Sequence, residues 1–341
     1  MSTKRGSRRW HCGWMTFRVL DLTQPEQPDR QEVHPGVVVA YGDPTASGND
    51  RRLEHASFAL TETETHDVRW VQVPSVPAAL EELGDRLARW PQAAAVCDDV
   101  LRSVGCGTPT LPGVVTESLA YSTLQSGPEF ERWLAGRGQV SYDQCVDPVL
   151  IERTGDELAV QLNRPHRHNA FSNDMRAALL EALEVAAADI SIDKVVLSGA
   201  GPSFCSGGDL AEFGTFTDPV SAHLARTRHS PALALDSLAR RLKRNCQARI
   251  HGQVLGSGLE MAAFCGRVVC SPDAVLGLPE LRLGLIPGAG GTVSVTRRIG
   301  RWRTAYLVLM GRTIDAATAL RWGLVDAVET EDGCASATMR G

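Results

Sequence analysis

The sequence predicts an α/β fold with crossover connections over residues 147–330, preceded by an additional α-rich module at 36–140. Three observations carry this. Apolar runs of strand length alternate with amphipathic helical stretches in the second half. Glycine-rich turns stand where strands pass into helices, the arrangement of crossover units. With 341 residues the chain exceeds the usual size of one domain, so a second unit must be accommodated.

Residues 1–35 are polar and broken by proline, and the expectation there is a disordered tail. Short strands are expected at Val37–Ala40, Ser57–Leu60 and Trp70–Val73. Helices follow at Ala78–Trp90, from Pro91 to about Val104 with the proline in the first turn, and around Thr116–Gln125. The module boundary falls between Gly136 and Asp147, where Gly, Gln, Ser and Asp interrupt the apolar period. A hairpin then pairs Val149–Arg153 with Leu158–Leu162 across Thr154-Gly155-Asp156. Next come a helix capped by Ser172, a strand at Lys194–Ser198, one helix over about Pro219–Arg244, and a strand near Ala248–His251. Residues 331–341 read as a polar tail.

Composition excludes several function classes. Lys and Arg number 35 against 40 Asp and Glu, a net charge of −5, which offers no basic surplus for nucleic acid. The nine cysteines are odd in number and form no C-x-x-C pair, which suits reduced thiols in a cytosol and neither a disulfide framework nor a metal site. Ser7-Arg8-Arg9-Trp10 resembles a twin-arginine export signal, yet no apolar segment of secretory or membrane-spanning length follows. The expectation is a cytoplasmic protein with no membrane partner.

Three segments carry chemistry. In Ser203-Phe204-Cys205-Ser206-Gly207-Gly208-Asp209-Leu210, glycines let backbone N–H groups approach a ligand at a helical start, which suits an anion or a polarised carbonyl; a plain connector would show the same pattern. In His251-Gly252-Gln253-Val254-Leu255-Gly256-Ser257-Gly258-Leu259-Glu260, a dinucleotide fingerprint would need glycine at 261, where methionine stands. Glu260 sits in an apolar helical start, so a function or partner is expected for it, against the plainer reading of a helix-N-terminal acid. The third segment runs from Leu278 to Thr292, with the lone acid Glu280 followed by Pro287-Gly288-Ala289-Gly290-Gly291; it lacks the lysine of a phosphate loop.

In order and spacing, these segments resemble the enoyl-CoA hydratase/isomerase (crotonase) family from about Val149 to Val328, together with Asn163-Arg164-Pro165, His168-Asn169-Ala170-Phe171 and Gly311-Arg312. The resemblance implies a crotonase-like fold of repeated ββα units in a spiral. It also implies an acyl-CoA thioester substrate, with coenzyme A entering as part of the substrate and no separate cofactor, and a homotrimer or hexamer. Carried over by position, the N–H groups of Gly208 and Ser257 form an oxyanion hole for the thioester oxygen. Glu260 and Glu280, twenty residues apart as in the hydratases, become the catalytic carboxylates. Coenzyme A would run over Ser206, Gly207, Asp209 and Leu210, with Arg164 and Arg167 as phosphate contacts or, equally, as solvated surface charges. His166, His168, His229 and His251 match no catalytic position, and Cys205 and Cys265 read as small buried hydrophobes.

Relatives usually continue for several helices beyond the strand at Leu324–Val328. The expectation is that the helices between Ala78 and Leu134 fold back to cover the site in their place. The resemblance implies a 2-enoyl-CoA hydratase; isomerase, lyase and thioester hydrolase chemistries share the same oxyanion hole. A catalytically silent relative that binds CoA esters or another protein is the reading from a different class.

Overall fold

The computed structural model describes residues 9–12, 15–24, 36–105, 107–138, 140–141, 145–216 and 218–329. The chain opens with a five-stranded sheet in the order β1-β2-β3-β4-β5: Arg9–Cys12, Met15–Asp21, Val38–Tyr41, Phe58–Thr61 and Trp70–Gln72. Only β1 and β2 pair antiparallel; the rest is parallel. Successive residues of β3 and β4 point to opposite faces, and both faces are covered, as parallel sheets require. Val39, Phe58 and Leu60 enter the main core, while Ala40 and Ala59 meet Leu22, Leu53, Ala56 and Trp70 on the other side.

This sheet corrects the expectation of a tail reaching residue 35. Met15–Asp21 pairs with β3, with Arg18 opposite Val38, and Phe17 is buried in the main core. The polar residues flanking this short apolar run hide it from a composition argument. Residues 1–8, 13–14 and 25–35 of that expectation, and the polar tail at 331–341, lie outside the described residues.

Helices α1 (Asp50–His55), α2 (Val76–Arg89), α3 (Pro91–Ser103), α4 (Thr110–Gln125) and α5 (Pro128–Gly136) complete the amino-terminal part. Ser75 caps α2 by accepting the Ala78 N–H, and Ala79, Leu83 and Leu87 at four-residue intervals form its buried stripe. α3 is capped by another helix: both carboxylate oxygens of Glu129 on α5 accept N–H groups, of Gln92 and Ala93, at 2.7 and 3.0 Å. α4 buries Val114, Glu117, Ser118, Tyr121, Ser122 and Leu124, a mixture of polar and apolar groups.

Strands β6 (Val149–Thr154) and β7 (Glu157–Leu162) form the expected hairpin and are followed by α6 (Asn173–Ala188), whose N-cap Ser172 accepts the Met175 N–H. After β8 (Lys194–Gly199), the helix expected over 219–244 is two helices, α7 (Pro219–Arg228) and α8 (Pro231–Leu242), because Pro231 has no N–H to continue the ladder. Then the spiral begins. β9 (Cys246–Ile250) and β10 (Gln253–Leu255) precede α9 (Ser257–Ala262), and β11 (Arg267–Cys270) and β12 (Val275–Gly277) precede α10 (Gly291–Met310). β13 (Ile314–Asp315), α11 (Ala316–Trp322) and β14 (Ala327–Val328) follow. Each ββα turn delivers one strand to a six-stranded sheet, β14-β11-β9-β8-β7-β6, and one to a three-stranded sheet, β10-β12-β13.

The two halves share one core. Cys97, Val100, Leu101 and Val114 belong to the same apolar cluster as Val293, Ile299 and Leu307 of α10. At Gly113 a Cβ would come within 2.4 Å of Val293 Cγ2, so α4 and α10 meet where only glycine fits. Along α10, Arg86 Nε donates to Leu309 O and Trp302 Nε1 donates to Leu53 O. α5 docks on the turn after Glu280: Gly284 has φ +72°, and a Cβ there would lie 2.7 Å from the backbone of Glu129 and Phe130. Replacing Gly284 with Ala should therefore cost about 1–3 kcal/mol for the left-handed backbone alone, seen as a lower urea midpoint. Gly136→Ala, where a side chain meets open space, should leave the midpoint in place.

Candidate active site

The loop after β8 and the turn after β10 lie side by side. Isolated parallel bridges join Phe171 to Gly208 and Cys205 to Val254, with Phe171 N–H donating to Gly207 O and Asp209 N–H to Phe171 O. This pairing leaves the Gly208 N–H without a protein acceptor among the described residues, and the same holds for the Ser257 N–H in the first turn of α9. Glycine is required nearby. Gly207 has φ +103°, and at Gly256, φ +48°, a Cβ would sit 2.5 Å from Glu280 Oε1. The Glu280 carboxylate thus lies against the backbone of the Ser257 turn.

Glu260 and Glu280 come together in one buried region. Glu260 Oε2 accepts the N–H groups of Ala289 and Gly291, each at 2.7 Å. Burial pushes its carboxyl up to about 7, and the amide donors pull the other way. Glu280 is driven well above the ordinary carboxylate range, first by burial and then by the charge of Glu260. Its Oε2 is buried and has no hydrogen-bond partner among the described residues. A buried carboxyl oxygen left open in this way is costly unless a ligand or water meets it.

Of the residues expected along coenzyme A, Ser206, Gly207 and Leu210 lie on the loop, with Leu210 39% exposed. Asp209 faces inward. Its Oδ1 accepts the Ala211 N–H as the cap of the short 3-10 turn Leu210–Glu212. Its Oδ2 lies 3.0 Å from Arg164 Nη1. This corrects the reading of Arg164 as a phosphate contact: at 1% exposure it is enclosed, donating also to Ala170 O, because a buried guanidinium needs a carboxylate and carbonyls around it. Arg167, with its side chain 38% exposed and Nη2 3.8 Å from Asp209 Oδ1, stays at the surface. Asn169, in the left-handed region at φ +54°, accepts the Arg164 N–H and donates to Ala200 O and Ser203 O, tying the two loops together.

The sequence reading missed Phe213, just after the 3-10 turn, and the residues that the amino-terminal helices bring to this place. Phe213 packs its ring 3.0 Å from where a Gly208 Cβ would stand. Trp133 on α5 meets Phe213 edge to face with centroids 5.9 Å apart and stacks on Phe130. Arg137 lies over Trp133 and donates to the carbonyls of Leu210 and Phe213. Tyr121 on α4 lies against Gly288, where a Cβ would be 2.5 Å from its ring. Glu117, one turn earlier on α4, hydrogen-bonds the turn that holds Glu260. The signal available for these was α4 itself, a helix with an acid, serines and a tyrosine spread among apolar residues and no wholly polar face. An open groove of about 430 Å³ lies elsewhere, lined by Val71, Tyr306, Ile314 and Trp322, and includes none of the expected site residues.

The enoyl-CoA hydratase/isomerase family model matches residues 155–340. The chain is 35% identical over 184 residues to 2,3-dehydroadipyl-CoA hydratase of Escherichia coli, covering 54% of this chain and 70% of that protein. It is 32% identical over 188 residues to a probable enoyl-CoA hydratase of Mycobacterium tuberculosis, with the same coverage. Against the crystal structure of enoyl-CoA hydratase from Thermoplasma volcanium the TM-score is 0.47 at 32% identity, covering 55% of this chain and 74% of that one.

Two outcomes follow from this geometry. Asp209→Ala strands the buried Arg164 charge and should destabilise the protein by about 3–5 kcal/mol in chemical denaturation, more than Asp209→Asn. Burial pushes the Cys205 thiol up to about 11, so at pH 8 it is a thiol in the native protein. Mass spectrometry after iodoacetamide treatment should find it unmodified until the protein is unfolded.

Proposed function

Because the chain belongs to the enoyl-CoA hydratase/isomerase family, we propose that it hydrates the 2,3 double bond of a 2-enoyl-CoA thioester. The observation that carries this reading is the meeting of Glu260 and Glu280, both buried and both raised above the ordinary carboxylate range, beside the open amides of Gly208 and Ser257. In the reaction, water supplies hydroxide to C3 and a proton goes to C2. Charge develops on the thioester oxygen as an enolate, and two fixed N–H donors in a dry site stabilise it by about 3–4 kcal/mol each. The thioester oxygen is assigned to the Gly208 and Ser257 N–H groups; only backbone is used, so serine at 257 serves as well as glycine.

The acid–base roles follow from the environments. Glu280, raised by burial and then by the charge of Glu260, is assigned as the acid that delivers the proton to C2. Glu260, raised to about 7 and fixed by the Ala289 and Gly291 amides, is the ionised partner that orients water and takes its proton. The pair then exchanges its proton with solvent before the next turnover. The proposed chemistry is proton transfer alone and calls for no further cofactor. On the coenzyme A side, the reading places the ligand over Ser206, Gly207, Asp209 and Leu210, with Arg167 as the phosphate contact. As in the resemblance, a homotrimer is the assembly proposed. Among the described residues, no helix is long and apolar enough to cross a membrane.

Glu280→Gln and Glu260→Gln should each lower kcat for crotonyl-CoA hydration by about 10²–10⁴-fold, followed as loss of the conjugated absorbance. Unchanged hydration in Glu280→Gln would overturn the assignment. For the wild type, kcat/KM should rise with pH through about 7, as Glu260 loses its proton. It should fall at higher pH as Glu280 ionises.

A further inference from the structure

Four consecutive amides after the Glu280 segment are shared between two acids. Ala289 and Gly291 donate to Glu260 Oε2, each at 2.7 Å. Gly290 donates to Glu117 Oε1 at 2.7 Å, and Thr292 donates to Glu117 Oε2 through its N–H at 2.9 Å and its hydroxyl at 2.7 Å. The amides of residues 289 to 292 thus alternate strictly between a carboxylate from α9 and one from α4. Glu117 lies outside the stretch that carries the family match. It is 1% exposed, and the hydration scheme above gives it no task.

We propose that Glu117 is a positioning residue that divides the first turn of α10 with Glu260, so that the amino-terminal module fixes the amides against which Glu260 works. The first part rests on geometry alone; the last clause rests on the proposed hydratase reading. Two carboxylates bound to alternating amides of one turn, away from water, cannot both be charged without strong repulsion. The helix N-terminus favours one negative charge there. Burial is the main cause that pushes Glu117 up to about 8, with the charge of Glu260 next. The other titratable groups that feel Glu117 are Glu280 after β12, Arg226 on α7 and Cys97 on α3. Arg226 is held over the Tyr121 ring and hydrogen-bonds Ser118, Ser122 and Gln125, at a different stretch of α4 from the amide turn. Among the described residues, none of these three is bound to the amide turn that Glu117 and Glu260 divide.

The test uses the ligand-free full-length protein with carboxyl-labelled glutamate, titrated by NMR, alongside the kinetics of crotonyl-CoA hydration. In Glu260→Gln the like charge is gone, so the Glu117 carboxyl should ionise about one pH unit lower or more. In Glu117→Gln the side-chain NH2 faces an N–H donor of the turn, so kcat should fall with KM unchanged within about twofold. A purely structural role would lower stability and leave kcat and KM of the folded enzyme in place. An unshifted Glu117 titration in Glu260→Gln overturns the proposal. Should Glu117→Gln fail to fold, Thr292→Val removes one donor from the ionised Glu117 and leaves the backbone intact. Glu117 then holds its proton to higher pH; no movement again overturns the proposal. If the wild type does not hydrate crotonyl-CoA, the functional reading fails, while the carboxyl titration still decides the coupling.

Discussion

Taking a carboxyl group out of water is expensive, and this protein does it repeatedly around one short piece of backbone. The first turn of α10 offers the donors that make the burial of Glu117 and Glu260 tolerable, and in return their oxygens satisfy N–H groups that a helix start leaves open. Much else is constrained by that exchange. Gly291 must be glycine because the Glu260 side chain lies 2.6 Å from where its Cβ would be, and Gly288 must be glycine to admit the Tyr121 ring. α4 must lie against α10, and with it come α3 and α5. Glu280, whose oxygen is left open beside this construction, stands out as the group prepared for something outside the chain.

The catalytic half was legible because its chemistry is written in glycine and acid spacing. Gly207-Gly208, Gly256-Ser257 with Glu260, and Glu280 with the following Gly-rich turn are local patterns, and each fixes a backbone shape that few other residues allow. Of the strands and helices of that half, the β6–β7 hairpin, α6, β8, β9 and the start of α9 were legible from short local patterns, while β10 to β13, the long helix α10 and the break at Pro231 were not. Arg164 was misread because a lone arginine in sequence gives no sign that Asp209, forty-five residues later, will enclose it. The amino-terminal sheet was harder still. Its strands are three to seven residues long, and their partners lie across turns and helices, so pairing is a tertiary fact that no short window contains. Glu117 and Trp133 escaped notice because their task depends on segments more than seventy residues away.

The amino-terminal part is not an ornament attached by a linker. Its helices supply the aromatic wall of Phe130 and Trp133 against Phe213, the Arg137 contacts to the Leu210–Phe213 backbone, and half of the donors' partners at α10. The family match begins only at residue 155, so these contributions distinguish this chain from what the match alone describes. They also narrow the space above Gly208, where the ring of Phe213 already sits close to the backbone.

The common core has a consequence for how the chain comes into being. The inward faces of α3 and α4 are completed by α10, which is translated some 170 residues later in the order of synthesis. Until the ribosome has delivered that helix, the earlier ones carry apolar surface, and in Glu117 an acid, with nothing to receive them. A nascent chain of this design waits for its own far end, and whatever shields it during that interval matters as much to its yield as the stability of the finished molecule.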